Sequence, residues 1–263
     1  MIVRVTCFSV LVWLATQQYA WGDKKPYTIA DLKVLVAKKS FKEAYLHLDD
    51  VTPSDRGADW LDVAATASTG VLERLPVDDG TAIGVIDSID SDYPELAKSS
   101  KYVRLRADLG YKGLVGCFTQ SSGYWSSRGT EECAQVATRF VTNDATDAAL
   151  ALRVAKLART QMNSAAAVPF FTRALGTKPT AAVCKDEDLS LAVTAGLGLP
   201  PDYENAGEAR TLAARCWDAL GGAIIKAFEK DPKGGYYHQN ACELLRAKKA
   251  LSSLQEKQCK KSR

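Results

Sequence analysis

Histidine is nearly absent from this chain, with His47 and His238 the two in 263 residues. That scarcity excludes a histidine-rich metal centre. Cysteine does not replace it, because no two cysteines stand at the two-to-four-residue spacing of a zinc site. No glycine-rich phosphate loop or dinucleotide fingerprint occurs. No segment shows the alternating β-branched pattern of a strand hairpin. A surplus of charge is also lacking: 34 Lys and Arg face 31 Asp and Glu, a formal net charge of +3. The two signs are interspersed rather than blocked, which argues against nucleic acid as a partner. No catalytic constellation, no metal and no cofactor is expected.

What is present begins at the N-terminus. "MIVRVTCFSVLVWLATQQYAWGDKK" has a basic start at Arg4, an apolar run from Val5 to Ala15, then polar and small residues. The run is short for a membrane-spanning helix, and Ala20 with Gly22 supplies a small-x-small cleavage site before Asp23. Residues 1–22 therefore read as a secretory signal peptide, with cleavage after Ala20 or an uncleaved anchor as the alternatives, and residues 23–263 as one domain. No other membrane contact is expected; Lys248, Lys249, Lys257, Lys260, Lys261 and Arg263 read as a solvated helix face and tail, with an anionic partner such as a membrane surface or acidic protein as the alternative. Loss of Cys7 with the signal leaves Cys117, Cys133, Cys184, Cys216, Cys242 and Cys259, an even set. In an exported chain that is a disulfide framework, and it places the protein in an oxidising compartment, a gram-negative periplasm or the cell exterior.

From Thr28 onward the pattern predicts helices throughout, hence an all-α fold. Ser40 with Glu43 forms a capping-box pattern ahead of a one-sided apolar face, and Thr28 with Asp31 marks an earlier helix start. The two helices should form a hairpin at Lys39–Ser40. Ser54 is expected to cap a long helix ended by Pro76, and a further helix over "DGTAIGVIDSI" should stop at "DSDYP". Later helices are expected near 100–119, 129–142, 145–162, 166–176, 186–197, 204–219, 222–230, 237–248 and 252–259.

Ala167, Phe171, Ala174 and Pro179 stand at offsets 0, +4, +7 and +12, and Ala82, Ile86, Ile89 and Pro94 repeat them. Twelve residues before each alanine stands another small residue, Ala155 and Gly70. The pattern resembles the tetratricopeptide repeat, in which small residues let paired helices approach, a large one fills the gap, and proline forces the turn. The resemblance covers 63–96 and 148–181, with weaker matches at 29–52 (Ala44, Leu48, Val51) and at Leu220, Ile224, Ala227 and Pro232. It implies an α-solenoid of helical hairpins; the alternative is an irregular helical bundle. The repeat's first-helix tryptophan and tyrosine are missing, and Pro169 requires its helix to begin near Ala166.

Six cysteines allow 15 pairings, and sequence does not choose among them. In a solenoid, however, distant segments lie far apart, so local bridges are favoured: Cys117–Cys133, Cys184–Cys216 and Cys242–Cys259. The first-helix positions that line the concave face in the resembling family fall on Leu152, Lys156, Arg159 and Thr160 in one unit and on Val71, Arg74 and Leu75 in the other. That mildly basic face suits an acidic protein or peptide partner.

The remaining chemical candidates are few. His47, beside Asp49 and Asp50, has no nucleophile motif near it and reads as a partly exposed helix residue. His238 follows two tyrosines in "GGYYHQNAC" and reads as packing a helix start. Glu131 and Glu132 open a helix, where acidic residues are expected for dipole reasons. Tyr124 and Trp125 sit in a serine-rich connection between Cys117 and Cys133, for which a binding loop is the functional alternative. The expected function is an exported, non-enzymatic binder acting as scaffold, assembly factor or immunity-type inhibitor. The alternative is an envelope hydrolase of peptidoglycan, using Glu131–Glu132 or the His238 region.

Overall fold

The computed structural model describes residues 26–75, 81–120, 126–162, 164–176, 180–230 and 235–261. Among them are fourteen α-helices and no strand. The signal segment with Cys7, Pro76, Tyr124, Trp125, Pro179, Pro232 and Arg263, and the side chains of Glu131 and Lys261, lie outside the described residues. The contacts divide the chain into two compact units, up to Ala67 and from Ser68 onward.

The first unit opens with α1 (Ile29–Ala37) and α2 (Phe41–Leu46), followed by two 3₁₀ turns and the start of α3 (Ala58–Leu72). The capping box is at Thr28: its hydroxyl accepts from Asp31 N, and Asp31 Oδ2 accepts from Thr28 N at 2.9 Å. The box expected at Ser40 does not form. Ser40 N instead donates to Leu35 O at 2.9 Å, closing α1 behind Lys39, whose φ is +59°. A residue spent on ending one helix, with ψ at 56°, cannot adopt the extended geometry that begins the next. The expected hairpin is present nonetheless, with α1 and α2 packed together. Ser54 is likewise not a helix cap. It lies in the 3₁₀ turn Pro53–Asp55, and α3 starts at Ala58 after Arg56 has folded back, Nε donating to Val51 O at 3.2 Å and the guanidinium covering Trp60 at 4.7 Å. Leu32, Ala44, Leu48, Trp60 and Val63 form this unit's core.

The second unit contains α4 (Thr81–Asp92), α5 (Ser100–Gln120), α6 (Ser126–Thr142), α7 (Ala148–Gln161), α8 (Val168–Leu175), α9 (Ala181–Cys184), α10 (Glu187–Leu197), α11 (Glu204–Arg215), α12 (Trp217–Lys230), α13 (Tyr236–Ala247) and α14 (Ser253–Lys261). The most closely packed pairs are α7 with α8, α10 with α11, α4 with α5 and α5 with α6. Small residues set these distances. A β-carbon at Gly110 would collide with the Phe140 ring, fixing α5 against α6, and one at Gly196 would lie 2.7 Å from Ala209 Cβ, fixing α10 against α11. In the 148–181 unit, Ala155, Ala167, Phe171 and Ala174 are all buried, and Pro169 occupies the first turn of α8. In the other, Ala82, Ile86 and Ile89 are buried and α4 packs on α5, the helix after it, across the 3₁₀ turn at Pro94–Lys98.

One boundary differs for an instructive reason. The glycine pair 221–222 suggests a break near residue 220, but the chain breaks at Cys216 and both glycines are helical. Gly221 is there for space: a β-carbon would stand 2.7 Å from the Trp217 ring.

A buried charged network ties α4, α5 and α6. Arg106, fully buried, donates from Nε to Asp90 Oδ2 at 2.7 Å, from Nη1 to Thr146 Oγ1 at 3.0 Å and from Nη2 to Phe140 O at 2.9 Å. Tyr102 donates to the other Asp90 oxygen at 2.6 Å, and the guanidinium lies 4.3 Å from the Phe140 ring centre. The ion pair is matched at every oxygen, which offsets the cost of taking two charges out of water. Further along, Asn240 Nδ2 lies within hydrogen-bond reach of Leu197 O and Leu199 O, both at 2.9 Å, so α13 satisfies carbonyls at the end of α10.

The three disulfides are Cys117–Cys133, Cys184–Cys216 and Cys242–Cys259, with Cα separations of 5.9, 5.2 and 5.7 Å. These are the pairs that the local-bridging argument favours. Each ties neighbouring parts of the helix sequence: α5 to α6, α9 to the α11–α12 junction, and α13 to α14. They point to an oxidising environment. No helix among the described residues is long and apolar enough to cross a membrane.

Candidate functional site

The expected basic face is closed in part by its own neighbours. Lys156 Nζ lies 2.7 Å from Asp186 Oδ2, and Arg159 pairs with Asp188, both carboxylates standing at the start of α10. The Asp186 hydrogen bond holds the Lys156 ammonium above the usual lysine range. Thr160 turns its hydroxyl back to Leu157 O at 2.9 Å, and Leu152 is half-buried. Val71, Arg74 and Leu75 lie at and just beyond the end of α3, with Arg74 exposed and the other two half-buried. The helix pairs that pack closely do not include α3 with α7, so the structure does not bring the two groups together by direct packing. Two cations matched by two carboxylates offer little surplus charge to an acidic ligand.

A concavity of the second unit lies among α6, α8 and α11. It is a groove of about 630 Å³ lined by Thr138 and Thr142, by Thr172 and Arg173, and by Glu204, Asn205, Glu208 and Arg215. Helical periodicity explains the lining: 138 and 142, like 204 and 208, are one turn apart and share a face. Thr172 Oγ1 is 3.1 Å from Glu208 Oε2. Burial pushes the Glu208 carboxyl up, the Thr172 hydrogen bond pulls it down, and nearby Glu204 adds to the rise. Arg215 donates to Gly176 O at 2.8 Å and Arg173 to Asn143 O at 3.4 Å. Each of those contacts uses one of five guanidinium N–H groups. The lining thus combines the carboxylates of Glu204 and Glu208, the guanidinium groups of Arg173 and Arg215, and threonine hydroxyl and asparagine amide groups. Among the described residues its lining consists of hydroxyl, amide, carboxylate and guanidinium groups together with Pro169 and Gly176.

The other candidates resolve as follows. His47 Nδ1 lies 3.0 Å from Asp50 Oδ2, and the ring stacks on Tyr27 at 4.0 Å; Asp50 Oδ2 also accepts from Tyr27 N at 2.9 Å. That arrangement fastens the entry of the first unit. Glu132 is exposed in α6. His238 is 2% exposed, stacked on Phe228 at 4.1 Å, and neither ring nitrogen has a hydrogen-bond partner among the described residues. Its ring lies beside Cys242 and Cys259, the three side chains' ligand atoms all within 4.8 Å of one another. Burial pushes the neighbouring Tyr237 hydroxyl up to about 12, so it stays protonated. Sequence reasoning passed over this cluster by scanning for close cysteine pairs; its signal was His238 and Cys242 at i and i+4 on one helix. Comparison with known proteins gives no match to a family model, a curated protein or a solved structure.

Proposed function

We propose that this is an exported, non-enzymatic helical-repeat protein that binds another protein or peptide in the groove among α6, α8 and α11. The observation that carries this reading is the groove itself: a sizeable concavity whose walls supply donors and acceptors of both signs and no reactive pair. Several features support the repeat architecture. Residues 148–175 form a closely packed hairpin with the small and large residues of the resembling family at its interface, and the closely packed helices lie within three of one another in chain order. Three local disulfides and the N-terminal apolar run support export to a gram-negative periplasm or beyond, after cleavage near Trp21 or Asp23. The partner segment is mixed in charge, with an acidic or carbonyl group for Arg173 and Arg215 and a donor for Glu204 and Glu208. Scaffold, assembly-factor and immunity-type inhibitor roles all use such a seat.

The test is crosslinking and affinity capture from the native envelope fraction with three versions of the mature chain. Glu204→Lys/Glu208→Lys should weaken capture of the partner by at least about tenfold, because charge reversal at a specific polar contact costs more than 1.4 kcal/mol. Lys156→Glu/Arg159→Glu should leave capture within about twofold, since those cations already face Asp186 and Asp188. The opposite ranking would return the site to the α7 face. Equal capture by all three would remove both.

A further inference from the structure

A buried polar atom without a hydrogen-bond partner costs free energy and calls for a reason. His238 has two, in a ring 2% exposed and stacked on Phe228. The ring stands next to a bond that can open into two further ligands. Cys242 is one turn along α13 from His238, and Cys259 reaches them from α14.

We propose that reduction of the Cys242–Cys259 bridge converts His238, Cys242 and Cys259 into a three-ligand site for a thiophilic d¹⁰ cation, Zn²⁺ first among them. The donor set is the soft one such an ion prefers, two thiolates and an imidazole. Zinc–sulfur and zinc–nitrogen bonds of about 2.3 and 2.0–2.1 Å place tetrahedral ligand atoms roughly 3.4–3.8 Å apart. The three ligand atoms already lie within 4.8 Å of one another, so side-chain rotation suffices. The fourth position stays open to water or an exogenous ligand. A thiol or phosphine reductant supplies the two electrons. With a phosphine, phosphine plus disulfide plus water gives phosphine oxide and two thiols. Zinc then displaces both thiol protons, while the neutral imidazole contributes a lone pair without losing one.

The helix α14 carries Cys259, and its Leu254 is 67% exposed; Arg246 Nη2 donates to Cys259 O at 3.3 Å and Gln255 Nε2 to Glu229 at 3.0 Å. The other two bridges have no histidine beside them, since the second histidine of the chain bonds Asp50. They provide the internal control.

Native mass spectrometry of the chain, oxidised or reduced with tris(2-carboxyethyl)phosphine under anaerobic conditions, reads zinc stoichiometry, with circular dichroism recorded in parallel. The expected result is no Zn²⁺ on the oxidised chain and one on the reduced chain. That ion should be lost in Cys242→Ser/Cys259→Ser and kept in Cys117→Ser/Cys133→Ser. His238→Gln should weaken it by at least about tenfold, as loss of a ligand exceeds the effect of a supporting group. Zinc uptake that is absent, indifferent to His238, or unchanged in Cys242→Ser/Cys259→Ser overturns the proposal. So does loss of helicity on reduction, because a site present only in an unfolded chain is not this one.

Discussion

The helices around Arg106 and those from α9 onward are held together by different mixtures of non-covalent and covalent ties. In the first region a buried guanidinium that joins Asp90, Thr146 and the Phe140 carbonyl acts beside a single bridge, Cys117–Cys133. In the second, Cys184–Cys216 and Cys242–Cys259 clip short helices, α9 with four residues and α14 with nine, that bury little surface of their own. The charged network acts in the folded state and ignores reductant. The bridges act mainly by restricting the unfolded chain and vanish with reductant. The difference teaches how length shares the load: α5, of 21 residues, is locked to its neighbours by side chains as well as by a bridge, whereas the short helices α9 and α14 bring little packing area beside theirs.

The largest expected effect breaks the non-covalent side. Arg106→Met strands the Asp90 carboxylate in the core and should cost about 3–5 kcal/mol in urea denaturation, while Arg106→Met with Asp90→Leu should recover most of it. Next come the bridges. Their sequence separations are 16, 32 and 17 residues, so replacing each pair by alanine should cost about 3 kcal/mol in the chain-entropy model, with Cys184/Cys216 the largest. In reductant those losses should disappear, while the Arg106→Met loss stays.

These two effects also separate what was legible in the sequence from what was not. The cysteine pairs could be argued in advance, because a helix sequence with local packing leaves few places for a Cα–Cα distance under about 7 Å. Most helix spans were equally legible from apolar periodicity and from breaks such as the one at "DSDYP", where Pro94 opens a 3₁₀ turn. Asp90 and Arg106 were not, because a lone charge on a helix looks solvent-facing until the helices that bury it are in place. The groove was hidden for the same reason, its walls coming from three helices spread over residues 138–215. At Ser40 and Gly221 local rules lost to neighbours, a preceding helix end and a tryptophan ring.

A smaller effect sharpens the groove. Glu208 is raised by burial, so the folded state resists its ionisation. The penalty is fully present above the folded pKa and vanishes below the unfolded value. Glu208→Gln should therefore raise the melting temperature modestly at neutral pH, with the gain fading as pH falls toward about 4.3 and gone below it. The smallest expected effect touches both units alike. Lys39 and Lys249 end α1 and α13 with φ of +59° and +53°. Replacing either by glycine relieves the left-handed strain and should gain under about 1 kcal/mol in thermal unfolding.

Three local bridges staple the helices of this chain, and export is the proposal that accompanies them. Non-reducing peptide mapping with N-terminal sequencing of the protein from its native envelope fraction tests that most directly. The account predicts a first residue near Trp21 or Asp23 and the links Cys117–Cys133, Cys184–Cys216 and Cys242–Cys259. An intact Met1 with free thiols, or Cys117 joined to Cys242 or Cys259, would contradict it.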